Sequence, residues 1–554
     1  MVSNHTFPRQ TSHLLPYIGQ WQLAYQIAGM LLIFLLTACQ ALPPNHRVNT
    51  PATIKGSPPY TPLIYQISAS KNPSPRTLSG YYPLVESTDA FAARSVLSDM
   101  ATQSIDVQYY IWHNDAAGQL MLKDLYEAAN RGVKVRLLLD DLNTNLELDQ
   151  QLLAFSAHPN IQVRLINPKV TRTLSPANFL VALPRYQRRM HNKSMSFDRQ
   201  IAIIGGRNIG DEYLRNDTQN EFADLDVLLA GKVVEAVEQS FEQYWNSDLS
   251  YDIEQLVTPA KNPKRNKSDE PFLDTLTAIA PTNNQSTLSK SSQLYRTHDG
   301  AMLDDQLYNK KIPFRWQPIV FFADDVTKLR NQDDKATRLV AKLRSQIGTP
   351  TQRFTIISSY FVPTNLGVQQ LKKLVDEGVK VSVLTNAYEA TDVPIVHSGY
   401  SVARAPLLQA GVSLYELKSS ADPDFRHKKR GLYKRGLYNS KSSTSLHTKA
   451  FAVDDTCTFI GSYNVDPRSA NINTELGVLI YDKALTRAVH AAFDEAMLNI
   501  SYRVQLTPDQ QLQWQTHDDR TNQHLVIYDK EPRLSTFHAL WVRLFAKLPF
   551  RWLL

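Results

Sequence analysis

Residues 105–112 (IDVQYYIW), 120–129 (LMLKDLYEAA) and 132–139 (GVKVRLLL) read in order as a strand, a helix and a second strand. The first stretch is rich in β-branched and aromatic residues, and the second has apolar residues three and four positions apart. The third opens on a glycine suited to end a helix. Such a unit with short connections is typical of parallel strand pairing, which places helices on both faces of a sheet. The sequence therefore predicts an α/β fold.

The same order of elements occurs a second time. Residues 354–361 (FTIISSYF) again favour a strand, residues 371–377 a helix, and residues 378–384 (GVKVSVL) a glycine followed by a strand. This repetition predicts two similar domains.

A polar stretch separates the two copies. Residues 255–295 are rich in Lys, Asn, Ser, Thr and Pro and poor in large apolar residues, which is typical of a linker. The predicted organisation is a lipoprotein-type signal peptide (1–38), a Pro/Ser-rich tether (39–79), a first domain (80–254), a linker (255–312), a second domain (313–505) and a C-terminal extension with an amphipathic helix (506–554).

Composition narrows the class of protein. The chain has 554 residues, of which 43% are apolar and 20% charged, and this excludes a disordered or fibrous protein. The net charge of +7 suits anionic lipid, nucleic acid or phosphate esters without selecting among them. The two cysteines, Cys39 and Cys457, exclude a disulfide scaffold, a cysteine zinc site and an iron–sulfur cluster.

The amino terminus has the pattern of a targeting segment. Residues 27–38 (IAGMLLIFLLTA) are apolar over the length of a signal-peptide core, which is shorter than the ~18 residues of a membrane span. They end at Leu36-Thr37-Ala38-Cys39, which resembles a bacterial lipobox. We expect lipidation of Cys39 and attachment to a bacterial envelope membrane, facing the periplasm. An uncleaved anchor, or a buried cysteine after an apolar helix, is the alternative.

Each domain contains one copy of a polar motif, H-x-K-x4-D. A Gly follows each His after 14 positions and an Asn after 17 positions. A carboxylate then follows within a similar local sequence, ADLDV at residues 223–227 and TELGV at residues 474–478. Two accidental copies in one frame are not expected at ordinary residue frequencies. The residues are His191, Lys193, Asp198, Gly205, Asn208 and Asp224 in the first copy, and His447, Lys449, Asp454, Gly461, Asn464 and Glu475 in the second.

These residue types indicate phosphodiester chemistry. In a strand, His and Lys two positions apart point to the same face, so each domain offers one imidazole and one ammonium to a common cavity. We expect Lys193, Lys449, Asn208 and Asn464 to bind the non-bridging oxygens of a substrate phosphate. One imidazole can attack phosphorus, while the other protonates the leaving alkoxide and later deprotonates the incoming hydroxyl.

The acidic residues have supporting roles in this interpretation. Asp224 and Glu475 are expected to accept a ring N–H from the histidines and so fix their tautomer. Asp198 and Asp454 complete the catalytic motif, and we expect them to bond to backbone or a neighbouring loop rather than to carry protons. No His, Cys and carboxylate cluster has the spacing of a metal site, so neither a metal nor another cofactor is expected.

The paired motifs, followed by Gly205-Gly206-Arg207-Asn208 and Gly461-Ser462-Tyr463-Asn464, resemble those of the phospholipase D superfamily. The resemblance extends over about residues 80–500. It implies two α/β/α sandwich domains related by a pseudo-twofold axis, with one shared active site and a phosphohistidine intermediate. It also implies that His191 is the nucleophile and His447 the general acid and base, whereas the residues themselves are symmetric on this point.

A narrower resemblance is to the cardiolipin synthase C subgroup of that superfamily. It depends on residues 108–112 (QYYIW), 203–213 (IIGGRNIGDEY), 466–469 (DPRS) and 473–475 (NTE). It implies transfer of a phosphatidyl group from phosphatidylethanolamine or phosphatidylglycerol to the glycerol hydroxyl of phosphatidylglycerol.

Two further stretches bear on a membrane surface. Residues 429–438 contain the tandem repeat KRGLYKRGLY, which predicts an exposed loop that is either solvated or in contact with phosphates and headgroups. Residues 537–554 form an amphipathic pattern that suits a helix lying in a membrane interface, or a terminal helix packed on its own domain.

Other functions remain open on the sequence alone. With water as acceptor, the same chemistry would be that of a phospholipase D that releases phosphatidic acid. A nuclease is disfavoured because no nucleic-acid-binding motif is recognised and the basic excess is modest. An inactive membrane-binding module is disfavoured because both motifs are intact. The expected partners are therefore phospholipids and a membrane surface, without nucleic acid, and the oligomeric state is left open.

Overall fold

The computed structural model describes residues 42–46, 67–68, 78–172, 183–214, 220–259, 272–275, 301–309, 312–419, 443–495, 497–517, 524–534 and 542. The predicted signal peptide, Cys39, the basic repeat 429–438 and all but one residue of 537–554 lie outside these ranges, as do most of the predicted tether and linker. Within the described ranges, no helix is both long enough and apolar enough to cross a bilayer.

The first repeat forms one large sheet, and its strands alternate with helices along the chain. The strands up to the start of the second repeat are β1 (Ser79–Leu84), β2 (Ser104–Tyr109), β3 (Lys134–Asp140), β4 (Ile161–Ile166), β5 (Ser194–Phe197), β6 (Ile201–Gly205), β7 (Asn220–Ala223), β8 (Asp226–Gly231), β9 (Ser250–Asp252) and β10 (Arg315–Gln317). All except β7 belong to this sheet, in the order β10-β1-β8-β6-β5-β2-β3-β4-β9.

The second repeat forms another sheet of the same kind. Its strands are β11 (Ile319–Ala323), β12 (Arg353–Ser358), β13 (Lys380–Asn386), β14 (Ser413–Leu417), β15 (Ser443–Leu446), β16 (Lys449–Val453), β17 (Cys457–Gly461), β18 (Leu476–Ile480), β19 (Ser501–Leu506), β20 (Leu512–His517) and β21 (Leu525–Tyr528). All except β15 lie in the order β11-β18-β17-β16-β12-β13-β14-β19-β20-β21, so this sheet continues beyond residue 505.

The two sheets repeat one topology, which confirms the predicted α/β class with two similar domains. The order β8-β6-β5-β2-β3-β4 in the first corresponds to β18-β17-β16-β12-β13-β14 in the second. The predicted parallel pairs β2–β3 and β12–β13 are present. The sheets are mixed rather than wholly parallel, because the hairpins β5–β6 and β16–β17 add antiparallel strands.

Helices cover the sheets, and matching helices begin and end in matching ways. The helix after β2 starts with Asp115, whose side chain accepts from the Gly118 N–H, and the helix after β12 starts with Thr364, which accepts from the Gly367 N–H. The described α-helices are Ser87–Met100, Ala116–Asn130, Leu146–Ser156, Leu183–Tyr186, Asp211–Leu214, Val233–Trp245, Ile253–Leu256, Ala301–Tyr308, Leu339–Ile347, Asn365–Asp376, Pro394–Ser401, Arg404–Gln409, Pro467–Asn471, Lys483–Glu495 and Met497–Ile500.

Each strand contributes alternate residues to opposite faces of its sheet. In β6, Ile201 and Ile203 pack with the helices on the outer face, whereas Ala202 and Ile204 join an apolar cluster on the inner face. That inner cluster also contains residues of the second sheet: Ala450, Ile460, Leu476, Val478 and Ile480. The inner faces of the two sheets therefore pack against each other, and this apolar contact joins the halves.

The last residue of each motif belongs to the fold rather than to the reaction centre. Asp198 and Asp454 follow β5 and β16 with positive φ angles of 49° and 48°. Each carboxylate accepts hydrogen bonds from a threonine hydroxyl and three backbone N–H groups at the start of the neighbouring strand, at residues 102–104 and 351–353 respectively. Their placement is that of the backbone-bonding role expected from the sequence.

We predict that Asp454→Asn lowers the stability of the protein and leaves any activity of the folded molecule unchanged. The substitution removes charge from an acceptor of several backbone N–H groups, so the free energy of unfolding should fall by about 1 to 3 kcal/mol. Thermal unfolding checks the first part, and turnover per folded molecule checks the second. Asp455→Asn is the control, because the side chain of Asp455 is 48% exposed and pairs with Arg487 at the surface. Loss of turnover at unchanged stability would contradict the structural role.

Candidate active site

The two histidines lie beside each other's half of the chain. The His191 N–H donates to the carbonyl of Thr474 at 3.0 Å, and the Thr474 N–H donates back to the carbonyl of Arg189 at 3.0 Å. The His447 N–H donates to the carbonyl of Ala223 at 2.8 Å, just after the parallel pair β7–β15. Each histidine backbone is therefore held by the segment that carries the carboxylate of the other domain.

The sequence places the His and Lys of each motif in one strand, but in the structure both histidines lie before the strand begins. β5 starts only at Ser194, and His447 lies between β15 and β16. Each lysine still lies beside its own histidine: Lys193 Nζ is 2.7 Å from the carbonyl oxygen of His191, and Lys449 Nζ contacts that of His447. Cross-domain backbone bonds, rather than pairing within a sheet, position the histidines.

The histidine side chains are paired crosswise with the predicted carboxylates. Nδ1 of His191 lies 2.8 Å from Oε2 of Glu475, and Nδ1 of His447 lies 2.6 Å from Oδ2 of Asp224. Both carboxylates are fully buried. When a carboxylate is ionised, the ring Nδ1–H donates to it and the Nε2 lone pair is left for chemistry. Matching frames in the sequence did not reveal that each pair joins two domains.

Burial changes the charge balance of the histidine–lysine pairs. Burial lowers the pKa of Lys193 to about 7 and that of Lys449 to about 8. Burial and the two lysines also lower the pKa of His191 well below its ordinary value. Burial and Lys449 lower the pKa of His447, an effect that Asp224 opposes. A bound phosphate would favour the charged form of both lysines, so this site is suited to an anion.

The two orienting carboxylates are not electrostatically equivalent. Burial raises the pKa of Glu475 to about 7, against the opposing effects of Lys193 and a hydrogen bond from Ser462. Burial acts on Asp224 in the same direction, but His447 and Lys449 outweigh it, and the pKa of Asp224 falls below its ordinary value. Asp224 is therefore the more firmly ionised of the two.

The residue after the first motif glycine differs between the halves in a way that matches this difference. Ser462 donates a hydrogen bond of 2.5 Å to Oε2 of Glu475. The corresponding residue in the first half is Gly206, where an added Cβ would lie only 2.1 Å from Oδ1 of Asp224. The glycine leaves room for the shorter carboxylate, and the serine binds the longer one.

The predicted phosphate-binding asparagines are held by their oxygens. Oδ1 of Asn208 accepts from the Ile111 N–H at 3.2 Å, and Oδ1 of Asn464 accepts from the Ser359 hydroxyl at 2.9 Å. Both side chains are buried next to the histidine segments. Because each oxygen has a partner, the amide nitrogen is the group that can donate to an anion.

Two residues that position the histidine segments were not identified from the sequence. Oδ2 of Asp140 accepts from the Met190 N–H at 2.8 Å, one residue before His191. Asn386 accepts from the Leu446 N–H at 2.8 Å, one residue before His447. Asp140 and Asn386 each end a strand eight positions after a matched glycine, and this shared offset is the signal that could have identified them.

Aromatic side chains enclose the imidazoles. The ring of Tyr110 lies edge-on to His191 with centroids 4.9 Å apart, and Tyr213 lies edge-on to His447 at 5.2 Å. Phe222 also packs on His447 at 5.1 Å. The exposed fractions of His191 and His447 are only 7% and 5%. The reaction centre is thus largely shielded from water, a feature that no spacing in the sequence reported.

Among the described residues, one group of side chains has atoms close enough together to hold a metal ion: His113, Asp115 and Glu212. Nδ1 of His113 already lies 3.0 Å from Oε1 of Glu212, and Asp115 caps a helix. This group contains none of the residues predicted to be catalytic, so it does not alter their interpretation.

Comparison with known proteins identifies relatives over most of the chain. A family model described as cardiolipin synthase, PLD-like domain, matches residues 97–245 and 343–497. Cardiolipin synthase C of Escherichia coli is 38% identical over 475 residues, which cover 86% of this chain and 96% of the relative. An uncharacterized protein of Helicobacter pylori strain 26695 is 32% identical over 440 residues, covering 79% of this chain and 83% of the relative.

A solved structure supports the fold. The crystal structure of phosphatidylserine synthase from Haemophilus influenzae matches with a TM-score of 0.53 and 13% identity. The match covers 86% of this chain and 98% of that one. It therefore extends over both domains.

We predict that Glu475→Gln changes the tautomer of His191 and leaves that of His447 unchanged, whereas Asp224→Asn does the reverse. The amide cannot accept the ring N–H with the strength of a carboxylate, so the paired imidazole loses its preference for Nδ1–H. Nitrogen NMR of histidine-labelled protein measures each tautomer, and His191→Gln and His447→Gln variants assign the signals. If each substitution affected the histidine of its own domain, the crosswise pairing would be wrong.

Proposed function

Since this chain belongs to the cardiolipin synthase family of phospholipase D-like proteins, we propose that it is a phosphatidyltransferase that makes cardiolipin. It transfers a phosphatidyl group to phosphatidylglycerol through a phosphohistidine. The observation that carries this proposal is the pair of buried histidines, each with a lysine beside it and a carboxylate from the other domain on Nδ1.

The first step forms the covalent intermediate. Nε2 of His191 attacks phosphorus, the bond from phosphorus to the headgroup oxygen breaks, and His447 donates a proton to the departing alkoxide. Lys193, Lys449 and the amides of Asn208 and Asn464 bind the non-bridging oxygens, where negative charge builds.

The second step regenerates the enzyme. His447, now neutral, takes the proton from a glycerol hydroxyl of phosphatidylglycerol, and that oxygen attacks phosphorus. The bond from phosphorus to Nε2 of His191 breaks, and cardiolipin leaves. Protons and phosphoryl group balance over the two steps without a cofactor.

The charges support this division of roles between the histidines. A nucleophile must be neutral, and the pKa of His191 is well below its ordinary value because of burial and the neighbouring lysines. A general acid must begin protonated. Burial and Lys449 lower the pKa of His447 as well, but less than that of His191 is lowered, because the ionised Asp224, together with Asp392, acts in the opposite direction.

The main alternative is hydrolysis of the same intermediate by water. Transfer needs an acceptor lipid and exclusion of water from the phosphohistidine. The small exposure of His191 and His447 and the aromatic rings of Tyr110, Tyr213 and Phe222 favour transfer.

The headgroup alcohol of the donor lipid leaves on the His447 side, where acidic groups lie. Asp392 accepts from the Tyr360 hydroxyl at 2.7 Å and raises the pKa of His447. Glu212 also interacts electrostatically with His447. Carboxylates on this side would stabilise an ammonium on the departing alcohol, so phosphatidylethanolamine is the favoured donor and phosphatidylglycerol the second.

The membrane is reached through the amino terminus in this proposal. Lipidation of Cys39 would hold the enzyme at a bacterial envelope membrane, facing the periplasm, close to both lipid substrates. The lipobox-like Leu36-Thr37-Ala38-Cys39 supports it.

The test is mass spectrometry of lipids after purified protein meets vesicles of phosphatidylglycerol and phosphatidylethanolamine with EDTA present. Cardiolipin should form with the intact enzyme and fall at least roughly 10³-fold in His191→Ala and in His447→Ala. A phosphohistidine should be trapped in His447→Ala and be missing from His191→Ala.

Other products would point elsewhere. Phosphatidic acid without cardiolipin would establish the hydrolase, and label on the His191→Ala protein would reverse the histidine roles. If no lipid changes, a DNA cleavage assay with salt dependence would test the nuclease alternative.

We predict that Glu212→Gln reduces use of phosphatidylethanolamine relative to phosphatidylglycerol by about 3- to 10-fold, because one anionic partner of the ammonium is lost. Competition between the two lipids, each with a distinct acyl chain, measures the ratio in one vesicle. Glu235→Gln is the matched control, since Glu235 lies exposed on the helix Val233–Trp245. An unchanged ratio would remove the argument for this donor.

A further inference from the structure

A buried ion pair lies next to the backbone of Glu475. Nζ of Lys328 is 2.8 Å from Oδ2 of Asp324, and the exposed fractions of the two side chains are both 1%. Asp324 follows β11, and Lys328 lies in the 3-10 helix Val326–Arg330. A buried ion pair is seldom a large net source of stability, so its presence here calls for another explanation.

The pair is bonded to the backbone that carries Glu475. Oδ2 of Asp324 accepts from the Glu475 N–H at 3.0 Å, and the Asp324 N–H donates to the Glu475 carbonyl at 2.9 Å. Nζ of Lys328 also donates to the carbonyl of Ser469 at 3.0 Å. Asp324 is therefore bonded twice to the Glu475 backbone, and Lys328 is held in place by Asp324 and Ser469.

The first domain lacks this arrangement at the matching place. The pairing of β11 with β18 runs to Ala323 and Leu476, and Asp324 and Glu475 are bonded next to it, whereas the pairing of β1 with β8 ends at Leu84 and Asp226, two residues before Glu86. Glu86 is exposed, whereas Asp324 is buried. Asp224 interacts instead with the buried Arg207. This guanidinium acts to lower the pKa of Asp224, although less than His447 and Lys449 do. The ion pair thus serves only one of the two histidine–carboxylate pairs.

We propose that Lys328 is a positioning residue that keeps Glu475 ionised and so maintains the tautomer of His191 whose Nε2 is free to attack, and that Asp324 holds Lys328 in place and partly offsets its charge. This inference rests on the proposed role of His191 as nucleophile. If Glu475 were protonated, its hydroxyl would donate to Nδ1, the ring hydrogen would move to Nε2, and no lone pair would face phosphorus.

The charges around Glu475 set the direction of the effect. Burial raises its pKa to about 7, while Lys193 and Lys328 both act to lower it. The titratable groups facing Glu475 from the elements packed around it are His191, Lys193, Asp324, Lys328, Lys449, Tyr463 and Asp466. Removing Lys328 deletes one of the cations and therefore raises the pKa of Glu475. Removing the charge of Asp324 leaves Lys328 unopposed and lowers it.

The experiment compares the pH dependence of kcat in variants of the full chain. Activity needs ionised Glu475, so it falls as pH drops through the pKa of that residue. In Lys328→Met the acid limb should move to higher pH by about one unit, which is about a tenfold loss on the limb with little change on the plateau. Asp324→Asn should move the limb in the opposite direction. Lys328→Arg should restore the wild-type profile, and Lys335→Met is the exposed-lysine control.

The readout is consumption of the donor lipid, whichever acceptor is used. If the wild type released phosphatidic acid instead of cardiolipin, the proposed function would fail and the displaced limb would still test this inference. The His191 tautomer, followed by nitrogen NMR against pH, gives a second measurement that needs no turnover. Its midpoint should rise in Lys328→Met.

An equal loss of kcat at every pH, or limbs displaced in the same direction in both variants, would overturn the proposal and leave a purely structural role. Should Lys328→Met fail to fold, Lys328→Gln and Asp324→Asn carry the same test, because their displacements are again expected to be opposite.

Discussion

The hydrogen bond between a histidine of one domain and a carboxylate of the other is the interaction on which this structure depends. His191 pairs with Glu475 and His447 pairs with Asp224, so neither domain contains a complete histidine–carboxylate pair. The packed inner faces of the sheets and the backbone bonds at Thr474 and Ala223 bring these atoms together. The duplicated fold is therefore a device for building one site from two incomplete ones.

Burial of this site has an energetic consequence that suits an anionic substrate. Desolvation lowers the pKa of Lys193 and Lys449, so both ammonium groups are held in a state that costs free energy without a negative partner. A phosphodiester placed between them supplies that partner, and more so as charge accumulates on its oxygens in the transition state. In the proposed reaction the lysines therefore interact more strongly with the transition state than with the bound substrate, which is the condition for lowering a barrier.

Much of this could be predicted from the sequence, because spacing carries the local information. The matched frames of the two motifs identified the residues now found together, and Gly132 and Gly378, with φ of 97° and 88°, end their helices as expected. Crosswise pairing could not be predicted, since the distance along the chain from His191 to Asp224 does not say which carboxylate approaches. Asp140 and Asn386 were missed because a polar residue after a strand resembles an ordinary turn.

In the proposed mechanism a symmetric fold must still provide asymmetric chemistry, because one histidine attacks while the other transfers protons. The difference arises in residues outside the shared motif. Gly206 leaves space for the carboxylate of Asp224, which is firmly ionised. In the other half, Ser462, Lys328 and Asp324 surround Glu475, whose pKa burial raises to about 7. The imidazolium of a general acid needs the first environment. A nucleophile that must stay neutral, yet keep its Nε2 lone pair, needs a carboxylate that is ionised but does not raise the pKa of the ring strongly, and the second environment meets that need.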